Sequence, residues 1–191
     1  MTRQLLEAAW HETAARAGLA EMGAAAVFKD PCHRYSAPGR AYHNLDHIAA
    51  MLDTVTDLGY MVHNDVAVRL ALWFHDAVYD PRRADNEEQS ATLAAAALAR
   101  AGASLPLLPA PKRLILVTKT HQASPHDTDC QLLIDADLAI LGANAADYRT
   151  GRRRVLEQFL GRGRLYCTAS LFNQREQAWR ANLRREIEGL A

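Results

Sequence analysis

Three stretches that otherwise read as hydrophobic core carry side chains that such a core rejects. In Leu72-Trp73-Phe74-His75-Asp76-Ala77-Val78, an imidazole and a carboxylate follow one another inside an apolar run. Burying a charge is expensive unless it is paired or bound to a metal, so Asp76 needs a partner. Taken alone, that dipeptide would be satisfied by a salt bridge or a hydrogen-bonded core pair. The second stretch, Tyr42-His43-Asn44-Leu45-Asp46-His47-Ile48, sets His43 and His47 four residues apart, on one side of a helix that starts early enough. His47 borders an apolar stripe and can point inward. The third, Ile134-Asp135-Ala136-Asp137-Leu138, puts two carboxylates inside another apolar segment. Deprotonated Asp and neutral His are both metal ligands. One shared cation would account for all three stretches. Separate salt bridges would each need a Lys or Arg, and these are scarce there.

The order His47, then His75-Asp76, then Asp137 resembles the His … His-Asp … Asp pattern of the HD-domain metal-dependent phosphohydrolase superfamily. The likeness extends to a group of small bacterial HD-superfamily phosphohydrolases. It rests on Arg40-Ala41-Tyr42-His43-Asn44-Leu45-Asp46-His47, Trp73-Phe74-His75-Asp76-Ala77-Val78-Tyr79-Asp80, Asn86-Glu87-Glu88-Gln89-Ser90, Thr118-Lys119-Thr120-His121 and Asp135-Ala136-Asp137-Leu138. The resemblance implies an all-helical scaffold with His47, His75, Asp76 and Asp137 as metal ligands. It favours Asp137 over Asp135, because the family's last Asp precedes an apolar helical stretch and Asp137 precedes Leu138. Asp135 is then a supporting residue or a helix cap. Two imidazoles and two carboxylates suit Mn²⁺, Fe²⁺, Co²⁺, Ni²⁺ or Zn²⁺, with Mg²⁺ as a further candidate. The implied reaction is hydrolysis of a phosphomonoester or phosphodiester, with a nucleotide as the favoured substrate, by a metal-activated water.

Other residues of these motifs admit two readings each. His121 and His43 are additional ligands, phosphate contacts or proton donors on one reading. On the other, His121 is a loop histidine at a helix end and His43 a hydrogen-bonding loop residue. Glu87 and Glu88 stand at a helix start, where carboxylates complement the helix dipole. Their functional alternative, shared with Asp80, is a general base or a partner that orients a ligating histidine. Arg40 and Lys119 flank motif histidines and could hold a substrate phosphate, or they form surface salt bridges. His11, His33, His63 and His126 lack supporting context.

Positioning these groups requires helices, and the chain supplies them. Apolar residues recur at helical spacing from Thr2 to about Gly18. A second helix runs from Ala20 to Lys29 and stops at Asp30-Pro31. Asn44 caps a helix to Gly59 carrying the stripe Leu45, Ile48, Leu52 and Val55. Asp65 caps the next helix, which reaches about Val78 and is apolar on all sides at Leu70–Phe74, so it should be central. An Ala-rich helix from Asn86 ends near Gly102. Further helices cover Lys112–Thr120, Leu132–Leu141, about Ala145–Leu160 and Ser170–Leu190. Strand signals are poor: no clean alternation and no Asn-Gly or Asp-Gly turn occur. The expectation is an all-α, single-domain HD-type bundle over 1–191, with the motif core at about 40–141 and the helices of 145–190 packed on it.

Composition narrows the function classes. The 191 residues carry 22 Lys+Arg and 22 Asp+Glu, a net charge of zero that gives no general reason for nucleic-acid or membrane binding. An Arg-rich stretch, with Arg149, Arg152, Arg153, Arg154, Arg162 and Arg164, reads as a solvated helix face or as a polyanion-facing patch. Three cysteines without Cys-x-x-Cys suggest neither a disulfide framework nor a thiolate zinc site. No apolar run reaches the roughly 18–20 residues of a membrane span, and no signal-peptide stretch opens the chain. A cytoplasmic enzyme acting on a small phosphoester is expected, with homodimerisation left open. Two alternatives come from other classes. One is a catalytically silent metal- or nucleotide-sensing module. The other is an RNA-associated protein using the Arg-rich C-terminal helices.

Overall fold

A computed structural model describes residues 2–37, 40, 43–80, 82–142, 160 and 163–189. Among these, α-helices account for nearly all regular structure: α1 (Arg3–Arg16), α2 (Glu21–Tyr35), α3 (Leu45–Leu58), α4 (Asp65–Phe74), α5 (Asn86–Arg100), α6 (Pro109–Thr118), α7 (Thr128–Leu138) and α8 (Ala169–Gly189). Short 3₁₀ turns follow α3, precede α6 and follow α7. No strand occurs among the described residues, so the all-α expectation holds. None of these helices is long and apolar enough to cross a membrane. The helix expected at about 145–160 lies almost wholly outside the described residues, as do Arg149, Arg152, Arg153, Arg154 and Arg162.

Helix starts follow side-chain chemistry. The Thr2, Asn44, Asn64 and Asp127 side chains each accept a hydrogen bond from a backbone N–H of the first turn. Asn64, not the expected Asp65, caps α4. Asp65 is instead the first helical residue, where it receives the Arg69 guanidinium and pairs with Arg16. Gly102, at φ +88, closes the turn after α5 in a backbone region that costs other residues strain.

Two helix ends differ from expectation, and both bear on the site. Helix α2 runs through Pro31 to Tyr35. An interior proline costs about 3 kcal/mol. Beyond it, Cys32 and Tyr35 are buried, and burying a large apolar side chain recovers about 1.5–3 kcal/mol, which offsets the proline cost. Helix α4 stops at Phe74 instead of Val78. The carbonyl of Leu72, which would accept from the Asp76 N–H in a continuing helix, bonds His75 Nδ1 at 2.9 Å. Asp76 therefore leaves the helix, and its N–H donates to the Tyr35 hydroxyl at 3.2 Å.

Helix α4 is central, in contact with α1, α3, α5, α6 and α7. Every residue of Leu70–Phe74 is fully buried. Trp10 of α1 meets Trp73 and Phe74 edge-on and stacks on Phe28 of α2, forming an aromatic wall under α4. A second apolar cluster, including Ile134, Leu138, Tyr166, Trp179 and Leu183, joins α7 to α8. Thus α7 is clamped on two sides, and α3, α4 and α7 bring their polar residues to one place.

Candidate metal centre

His47 sits in the first turn of α3, whose start is fixed because Asn44 Oδ1 accepts from the N–H groups of Asp46 and His47. His75 stands at the end of α4. Its Nδ1 faces the Leu72 carbonyl, which turns Nε2 toward α3 and α7. Asp137 is in the last turn of α7. These three side chains converge. His47 Nε2 lies 3.3 Å from His75 Nε2 and 3.2 Å from Asp137 Oδ1, and His75 Nε2 is 3.6 Å from the same oxygen. Ligands bound to one transition ion at about 2.1 Å and at 90–110° stand roughly 3.0–3.4 Å apart. Two edges of the triangle fall within that range and the His75–Asp137 edge is 0.2 Å longer, and these three groups together could hold a metal ion.

Asp76 joins from the rim, with Oδ2 3.2 Å from His75 Nε2 and 3.4 Å from His43 Nε2. His43 precedes α3 and does not share its face with His47; it approaches from the loop instead. His121 Nε2 meets the other oxygen of Asp137, Oδ2, at 2.9 Å. Its backbone is left-handed, at φ +50, a conformation costly for most side chains but better tolerated by His. Four imidazoles and two carboxylates thus form one cluster. Among the described residues, no lysine or arginine side chain forms a salt bridge with Asp76 or Asp137.

The electrostatics follow from that composition. Burial opposes ionisation of Asp137, but hydrogen bonds from His121, His47 and His75 outweigh it and hold the carboxyl well below its usual range. Asp76 is lowered too, against burial, chiefly by the charge and hydrogen bond of His75. Burial disfavours the charged form of His75, yet Asp76 and Asp137 hold its pKa well above the ordinary histidine value. For His43, burial prevails over Asp76 and Asp137 and lowers the pKa.

Asp135 is fully buried but faces away from this cluster. Its oxygens accept the backbone N–H groups of Cys167 at 2.5 Å and Thr168 at 2.6 Å, tying α7 to the start of α8. Burial outweighs these bonds and raises its pKa. Asp80, Glu88, Lys119 and Arg40 also have structural partners. Asp80 accepts from the backbone and guanidinium of Arg82 in a loop. Glu88 pairs with Lys119, whose ammonium also donates to the Ala84 carbonyl, so Lys119 fastens the loop before α5 to the end of α6. Glu87 lies half-buried on α5 and is not among the residues gathered around His75. Arg40 donates to the carbonyls of Asp76, Ala77 and His43. The structure therefore gives both proposed phosphate contacts, Arg40 and Lys119, intramolecular acceptors. Of the Arg-rich stretch, Arg164 is described. It donates to the carbonyls of Tyr166, Cys167 and Thr168 and lies over the Phe172 ring.

Sequence reasoning missed Tyr35 and Tyr79. Tyr35 bonds the Asp76 peptide, and the Tyr79 ring lies 4.5 Å from that of His43. Tyr79 lies within the Trp73–Asp80 motif, whereas the expected helix stop at Pro31 conceals Tyr35. No family model, curated protein or solved structure matches the chain.

Proposed function

We propose that the chain is a metal-dependent phosphohydrolase of the HD type, acting on a phosphomonoester or phosphodiester, with a nucleotide as the favoured substrate class. The observation that carries this reading is the triangle of His47 Nε2, His75 Nε2 and Asp137 Oδ1, with edges of 3.2–3.6 Å. Asp76 completes the two-imidazole, two-carboxylate set, which suits a divalent transition ion such as Mn²⁺, Fe²⁺, Co²⁺, Ni²⁺ or Zn²⁺ better than Mg²⁺. A bound cation of this kind supplies Lewis acidity and an activated water at neutral pH.

The chain's own groups provide the rest. The Leu72 carbonyl orients the His75 ring, as ligating histidines require. His121 holds the outer oxygen of Asp137 and leaves Oδ1 to the triangle. Arg40 and Lys119 are bonded to other acceptors, and the partly exposed His43 and His121, paired with Asp76 and Asp137, stand at the edge of the cluster where a phosphoryl oxygen would approach. The test is a panel of phosphomonoesters, phosphodiesters and nucleotides offered to metal-loaded protein. Release of phosphate or nucleoside by wild type, lost in folded Asp76→Ala, supports the reading. Tight metal binding with no hydrolysis across the panel would overturn it and leave a metal- or nucleotide-sensing module.

A further inference from the structure

We propose that Arg40 and Tyr35 are positioning residues that set Asp76 in the metal centre. The inference rests on the metal-binding reading of the cluster. Asp76 lies past the end of α4, and its peptide is held by side chains. Its N–H donates to the Tyr35 hydroxyl at 3.2 Å, and its carbonyl accepts from Arg40 Nη1 at 2.6 Å. The same guanidinium reaches the Ala77 carbonyl through Nη2 at 3.1 Å and the His43 carbonyl through Nη1 at 3.3 Å. One planar group thus ties together the backbones of two segments, 43 and 76–77. The side chains of those segments meet at Asp76 Oδ2, where His43 Nε2 is 3.4 Å and His75 Nε2 3.2 Å away.

The clamp is itself held from two sides. The guanidinium carbon lies 5.1 Å from the Tyr35 ring centre and 5.6 Å from that of Tyr79, within cation–π range of both. Tyr79 also rests on the His43 ring, so the aromatic contact links clamp and cluster. This geometry demands arginine. Its fork offers several donors in fixed directions, whereas lysine presents one compact charge that cannot span three carbonyls. It also separates the roles of the two cations near the motif histidines, since Lys119 bonds the loop before α5 and not the Asp76 backbone.

The test compares wild type, Arg40→Lys, Tyr35→Phe and, as a control, Arg82→Ala, which removes an exposed cation that touches none of these carbonyls. Co²⁺ affinity is measured by chelator competition, the Co²⁺ absorption spectrum is recorded, and Tm is followed without metal. Loss of a group that orients a ligand weakens metal affinity about 10–100-fold. Arg40→Lys should show that loss with an altered Co²⁺ spectrum, Tyr35→Phe a smaller loss, and Arg82→Ala none. Should Arg40→Lys not fold, Tyr35→Phe, which removes one hydroxyl from a retained ring, decides the matter by the same readouts. Folded variants with wild-type affinity and spectrum overturn the proposal and leave the metal centre standing. A wild type that takes up no Co²⁺ overturns both.

Discussion

Asp135 and Asp137 are two residues apart on α7, and both are buried. A helix turns about 100° per residue, so they point roughly 200° apart. Asp135 faces α8 and receives two backbone N–H groups from Cys167 and Thr168. Asp137 faces α3 and α4 and receives imidazoles from His47, His75 and His121. Burial pushes both carboxyl groups toward protonation. On the α8 side it prevails and the pKa rises; on the histidine side the imidazoles prevail and the pKa falls. A buried carboxylate is therefore not in itself a functional sign. The groups opposite it decide whether it is a staple or a ligand.

The sharpest way to break this comparison is to remove each carboxylate in turn. Asp137→Ala should abolish metal uptake, a larger loss than the 10–100-fold caused by removing an orienting partner. Titration with Zn²⁺ or Co²⁺ checks it, and wild-type affinity in the variant would dissolve the distinction. Asp135→Ala should do the reverse. The buried Thr168 N–H and the half-buried Cys167 N–H would lose their acceptor at about 1–3 kcal/mol each, lowering stability by about 2–6 kcal/mol while the variant still takes up metal. For a chain of this size that is a fall in Tm of roughly 4–24 °C by calorimetry.

Proton competition sharpens the contrast. His75, with its raised pKa, stabilises the metal-free fold fully below the ordinary histidine value, and this is lost as pH climbs through the raised one. Asp137 and Asp76, with lowered pKa values, stabilise it above the ordinary carboxylate range, and this is lost as pH falls through the lowered ones. A cation bound at the triangle would have to displace the His75 proton, so affinity should rise with pH below the raised His75 value, by about tenfold per unit for one proton. Chelator competition at several pH values checks this, and a flat profile would show that His75 does not ligate. The smallest effect is expected at His121. His121→Gly relieves the left-handed backbone, worth about 1 kcal/mol, but removes the hydrogen bond to buried Asp137, worth about 1.5–3 kcal/mol, so Tm should fall by a few degrees while metal affinity falls.

Much of the centre was legible because an apolar helix makes a polar intruder conspicuous. His47, His75, Asp76 and Asp137 stand out from core segments, and the structure gathers three of them in one triangle with Asp76 at its edge. Helix ends were less legible. Pro31 signals a stop, but the burial of Tyr35 carries α2 past it. At α4, the His75 ring captures a carbonyl that the local pattern assigns to the helix. Contact partners were least legible. Arg40 and Lys119 read either as phosphate contacts, from their nearness to motif histidines, or as surface salt bridges, and which acceptor a cation meets depends on segments distant in sequence. The Asp76 carbonyl and Glu88 supply those acceptors. Asp80, Glu87 and Glu88 stand near the motif in sequence but outside the triangle, because the chain turns into α5 after Asp76.

The most direct measurement is metal content by elemental mass spectrometry on untagged protein purified without chelators, comparing wild type, Asp137→Ala and Asp135→Ala. The account predicts about one equivalent or more of a transition metal in wild type and in Asp135→Ala, and none in Asp137→Ala. A wild type that is metal-free and cannot be loaded with Mn²⁺, Fe²⁺, Co²⁺, Ni²⁺ or Zn²⁺ would contradict it, and the histidine–aspartate cluster would then be a buried structural network.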